Sequence, residues 1–132
     1  MKRAILGFVC GLVAWIVVIS VLDRALRLAL AGYAAAEPAM SFTLGMQVSR
    51  LLIAALTSII AGAAAAWSAP ASPGLPLLLG MALLIAFLPV HVRLWNHFPL
   101  WFHLVFLGTL VPLVVVGSRL AARLAVPASG TL

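Results

Sequence analysis

Acidic side chains are almost absent from this chain: Asp23 and Glu37 are the only two in 132 residues. Charged residues of both signs reach 8% and apolar residues 66%, where a soluble domain carries about 25% and about 45–50%. Both departures run in the same direction, which is the membrane signature. The shortage of acid also narrows the chemistry. Proton- or sodium-coupled transport commonly uses a carboxylate inside the membrane, where desolvation raises its pKa, and here both acids lie outside the apolar runs. Paired-carboxylate hydrolysis and metal-dependent proteolysis lose their usual groups for the same reason. With one cysteine, Cys10, no intramolecular disulfide is possible, and its place in the first apolar run reads as packing.

What the chain has instead is length without charge. Runs over 4–22, 51–67, 75–92 and 100–118 are each near the ~20 residues that span a ~30 Å hydrocarbon core at ~1.5 Å per residue. Lipid offers backbone groups no partner, so only helices or a closed barrel can cross it. Uniform apolar runs without alternation exclude the barrel. The expected fold is therefore all-α, an integral membrane four-helix transmembrane bundle, with residues 1–132 forming a single transmembrane domain. Lys2-Arg3 before an apolar stretch, and the A-x-A match at Ala29-Leu30-Ala31, suggest a signal peptide. However, the run exceeds the 7–15 residues of a signal h-region and is followed by Arg24 and Arg27, so an uncleaved first span is expected. That helix is expected to continue through residue 31 until Gly32 and Glu37-Pro38 break it. Residues 41–48 alternate with period two, which fits an extended surface flap; Phe42 and Met46 also stand four apart, which fits the start of the next helix. The helical reading is the favoured one.

The eight basic residues form no patch. Lys2, Arg3, Arg24, Arg27, Arg50, Arg93, Arg119 and Arg123 flank the apolar runs, as snorkelling to headgroups requires. This argues against nucleic acid, which needs clustered charge on one face. The positive-inside bias is close to nil; Lys2-Arg3 before the first span favours cytoplasmic termini, with dual insertion as the alternative.

Small residues at helical spacing, Gly7 and Gly11 in the first span and Ala54, Ser58, Gly62 and Ala66 in the second, let backbones approach closely. They serve packing within the chain or a seam between copies. Asp23 and Arg27 stand four apart and can pair. Arg50 pairs with Asp23 if its helix starts early, or snorkels if it starts late. His91, Arg93, Asn96, His97 and His103 form a candidate polar cluster around the last link. The histidine spacing of six does not share a helical face, so the plain expectation is interfacial histidines bonded to headgroups or backbone. Arg93 and Asn96 are the nearest expected partners for His103. Trp67, Trp95 and Trp101 suit an aromatic belt. No catalytic set, metal site or cofactor is assigned.

The stretch Phe87-x-Pro89-Val90-His91-x-x-Leu94-Trp95-x-x-Phe98-Pro99-Leu100-Trp101-Phe102-His103-Leu104-x-Phe106-Leu107 resembles a pattern in uncharacterised small bacterial four-helix inner-membrane proteins. In that group a similar link precedes a last helix with a proline and a terminal glycine, here Pro112 and Gly117, and Arg50-Leu51 leading into Ala61-Gly62-Ala63 is similar to its second helix. The resemblance implies four spans and a bacterial inner (cytoplasmic) membrane, and brings no activity with it. The preference for arginine and alanine over lysine points the same way, to a GC-rich bacterial genome. By contrast, the buried first-helix glutamate of the small multidrug-resistance exporters has no counterpart here. The expected role is a non-enzymatic accessory or self-associating membrane module, in a homo-oligomer or a larger membrane complex. The alternative is a small homo-oligomeric channel or transporter whose polar mouth is lined by the His/Arg/Asn cluster.

Overall fold

A computed structural model describes residues 1–125 of the chain. Among these residues the structure is all-helical, and four helices are long and apolar enough to cross a membrane. These are α1 (Lys2–Ala29), α3 (Leu44–Ser68), α4 (Leu75–Arg93) and α5 (Leu100–Ala125); the short α2 (Tyr33–Ala36) lies between the first two. Each long helix exceeds or matches its apolar run, because charged and polar residues at the ends extend it beyond the hydrocarbon length.

The breaks have local causes. Gly32 adopts φ +79°, a left-handed conformation that costs a side chain dearly, and turns the chain from α1 into α2. Met40, at φ +53°, reverses it again. Thr43 then caps α3, its hydroxyl accepting the Met46 N–H at 3.3 Å. Residues 44–48 are therefore helical, in line with the favoured reading, and only 41–43 of that stretch are non-helical. Pro76 sits in the first turn of α4, where its missing N–H harms nothing. Between α4 and α5 the link is six residues, tied by the His97 N–H to the Leu94 carbonyl at 2.9 Å.

The long helices alternate in direction. α3 is central, with α1 antiparallel on one face and α5 parallel on another; α4 lies antiparallel to α5 and reaches α1. Apolar burial gives helices no preference for one another over lipid, so close backbone approach must hold them. Gly7 and Gly11 of α1 supply it against α3 and α4. A Cβ on Gly7 would meet Leu75 Cδ2 at 2.6 Å and Ala69 Cβ at 2.7 Å, and one on Gly11 would run into Leu79. The α3–α5 crossing is tighter and reciprocal. A Cβ on Gly62 would collide with the Val114 carbonyl, and one on Gly117 with the Ile59 carbonyl. Each glycine thus faces the carbonyl three residues before the other. Ala61, Ala65, Leu79 and Val114 are fully buried around these contacts and close that half of the bundle. The small-residue stripe is consumed inside the chain: Ala54, Ser58 and Gly62 are buried, and Ala66 is half-buried.

Candidate functional site

The alternation of helix direction brings the C-terminal ends of α1 and α4 and the N-terminal ends of α3 and α5 to one end of the bundle. Asp23, Arg27, Tyr33, Glu37, Arg50, His91 and His103 gather there, in two connected groups.

The first group is an ion-pair network on α1, α2 and α3. Arg27 binds Asp23 at 3.1 Å, one turn away, and Glu37 at 2.6 Å. Arg50, well inside α3, donates through Nη1 to the Tyr33 hydroxyl at 2.6 Å and stands 3.9 Å from Asp23. The Tyr33 hydroxyl in turn donates to Asp23 at 3.4 Å. Two carboxylates and two guanidiniums leave this group formally neutral. Tyr33 is fully buried, and burial pushes its phenol above the ordinary value, against the opposing pull of Arg50. Aromatic rings enclose the Arg50 guanidinium, with Phe42 at 4.9 Å and Phe98 at 5.9 Å, a geometry in which ring faces attract a cation.

The second group is a histidine pair between α4 and α5. His91 Nδ1 and His103 Nδ1 are 2.7 Å apart, with both rings buried. Trp95 stacks on His103 at 4.8 Å and 12°, while Phe106 lies 4.6 Å from His91. Phe98 stacks on Phe102 at 4.4 Å and on Phe42 at 5.6 Å, linking the two groups through aromatic faces.

Two cavities meet at Arg50. One, of about 310 Å³, is lined by the ion-pair residues with Ser20 and Phe42. The other, of about 120 Å³, lies among α1, α3, α4 and α5, with Arg50 and His91 as its polar members and Trp15, Phe87, Phe98 and Phe106 among its walls. Trp15 is held in place by donating its Nε1–H to Ser58 at 3.3 Å. Ile19 and Arg50 belong to both cavities.

Set against the sequence, the cluster around the last link divides. His91 and His103 come together; Arg93, Asn96 and His97 are exposed and stand apart from them. The expected partners of His103, Arg93 and Asn96, are replaced by His91. The expectation of interfacial histidines bonded to headgroups or backbone is corrected for this pair and leaves only His97 exposed. Twelve residues separate His91 from His103, and no single helix would align them; the turn between antiparallel α4 and α5 does. Arg50 reaches Asp23, because α3 starts early enough to put the arginine opposite the end of α1. Glu37, Tyr33 and Trp15 complete the site and were not singled out by pattern, although Tyr33 is the only tyrosine in the chain. Trp67 is exposed at the opposite end, and Trp95 and Trp101 are exposed at this one. Among the described residues no group of three or more His, Cys, Asp or Glu could hold a metal ion. No family model, curated protein or solved structure matches the chain.

Proposed function

We propose that the chain is an integral membrane protein of a bacterial inner membrane and a non-enzymatic accessory module of a larger membrane assembly. The observation that carries the reading is self-sufficiency. The acids are spent on arginines, the central histidines on each other, and the small-residue stripe on packing within one chain. A seam between copies loses its main motive once Gly62 and Gly117 are occupied by each other's helices. What remains outward is a shell of large apolar side chains on all four long helices, including Val13, Leu52, Ile85 and Leu104, suited to lipid or to the spans of another protein. Lys2-Arg3 at the start of α1 supports cytoplasmic placement of that end, with the polar end at the outer interface. The link motif, shared in resemblance with small inner-membrane proteins of bacteria, supports the compartment.

The accessory reading predicts that gentle extraction from native membranes yields the chain in a stoichiometric complex with a larger membrane protein. Recovery as a bare monomer by native mass measurement would contradict it. A homo-oligomeric channel or transporter is the second reading, favoured by the cavity at Arg50 and His91. It predicts solute leakage from proteoliposomes between pH 5 and 8, and tight liposomes would exclude it.

A further inference from the structure

The histidine pair has only two neutral arrangements, and the burial of one nitrogen selects between them. At 2.7 Å one Nδ1 carries the proton and the other accepts it. If His91 donated, His103 would accept at Nδ1 and, being neutral, carry its own proton on Nε2, which is buried and has no partner among the described residues. A buried N–H without an acceptor is rare because it forfeits a hydrogen bond outright; a bare lone pair is better tolerated. His103 therefore carries its proton on Nδ1 and donates it. His91, accepting at Nδ1, must carry its own proton on Nε2.

That leaves His91 with an N–H to spare, and His91 lines the 120 Å³ cavity together with Arg50. Among the described residues Arg50 uses only Nη1 for polar partners, so Nη2 and Nε are also free donors. While the carboxylates of Asp23 and Glu37 belong to the neighbouring cavity, Arg50, paired through Nη1 with Asp23 at 3.9 Å, and His91 are the polar lining of this one. Its other walls are apolar. Ile19 of α1 and Val90 and Leu94 of α4 are among them, and Val90, 41% exposed, also belongs to the apolar flank of the bundle.

We infer that this cavity binds an anionic amphiphile, a carboxylate or phosphate head on an apolar chain, with Arg50 and the His91 Nε2–H holding the head. His103 acts as a positioning residue: it touches no ligand, but its Nδ1–H fixes the tautomer that makes His91 a donor. Charge-assisted donors in an enclosure of aromatic rings are the strong kind, and the apolar flank takes the chain. The site goes beyond the accessory reading and exists whether or not the chain docks on a larger complex.

The test uses the full chain in phosphatidylcholine nanodiscs with ¹⁵N-labelled histidine, whose spectra separate the two tautomers. The expected pattern is a protonated Nδ1 on His103 and a protonated Nε2 on His91; the reverse assignment overturns the tautomer argument. Octanoate, or phosphatidylglycerol mixed into the disc, should then shift the His91 Nε2 resonance saturably. A shift with octanoate places the source among soluble amphiphiles, and a shift with phosphatidylglycerol alone places it in the bilayer. No shift with either, or an equal shift with octanol, overturns the anion site. Arg50→Gln should weaken binding by about tenfold or more, since a charge-assisted contact is roughly twice as strong as a neutral one. Arg50→Lys keeps the charge and should retain most of the affinity. If the glutamine variant fails to fold, the lysine variant and the octanol comparison still decide.

Discussion

Gly62→Ala is the sharpest perturbation of the packing. The added Cβ would overlap the Val114 carbonyl and stand 2.8 Å from its carbon, where carbon atoms prefer about 3.5–4.0 Å. Both partners are helix backbone, so no rotamer change relieves the overlap and α3 and α5 must part by on the order of 1 Å. A gap of that size forfeits roughly a quarter to a half of each dispersion contact of ~0.1–0.2 kcal/mol. Spread over some tens of atom pairs, the loss comes to about 2 kcal/mol, within the ~1–3 kcal/mol typical of overpacking. Gly117→Ala should cost a similar amount, and the double variant less than the sum, because one separation serves both. Gly108→Ala is the control. It lies in α5 with nothing within 4 Å of an added Cβ, so it should be neutral or stabilising by up to about 1 kcal/mol through helix propensity. Reversible unfolding in mixed micelles reads these differences. Equal stability of the Gly62 and Gly108 variants would refute the backbone-contact account.

Other consequences can be measured on the same material. As the only tyrosine, Tyr33 reports alone in tyrosinate absorbance, and its burial predicts a midpoint above the ordinary ~10. Because the folded value is raised, its contribution to stability is complete below the unfolded value and is lost as pH climbs through the folded one. A stability curve for Tyr33→Phe that keeps the same fall above pH ~10 would contradict this. Thr57 is fully buried, and its Oγ1 finds no partner among the described residues. Thr57→Val should therefore raise stability by about 1 kcal/mol by removing an unpaired hydroxyl, and a loss would reveal a bond the account lacks. Gly32→Ala should cost about 1–2 kcal/mol because of its left-handed φ of +79°, and an unchanged unfolding midpoint would count against strain there.

The helices were legible because apolar runs of membrane length have few alternative structures. Hydropathy alone stops at the first charge, but local signals carry the reading further: α1 is expected through residue 31 and ends at Ala29, and α3 begins at Leu44, within the stretch favoured as helical. Their extension depends on local bonds, such as the Thr43 cap and the Arg27–Asp23 pair. At the polar end, pattern found the residues within one helical turn of each other, Asp23 and Arg27. It missed Glu37, ten residues beyond Arg27, because no period links a loop residue to a helix face. The histidines show the limit most clearly. A spacing of twelve means nothing on one helix, and only the antiparallel return of α5 on α4 makes His91 and His103 neighbours. The alanine and glycine stripe left two uses open, and the reciprocal glycine contacts assign it to the inside of the chain.

That four spans place one polar end at a single interface is tested directly by cysteine labelling. Starting from Cys10→Ser, single cysteines at Ala35, Ser72 and Asn96 are exposed to a membrane-impermeant maleimide in sealed vesicles of one orientation. Ala35 and Asn96 should label from the same side, and Ser72 from the opposite side only. Labelling of Ala35 and Asn96 from opposite sides would break the shared polar end and, with it, the site at Arg50 and His91.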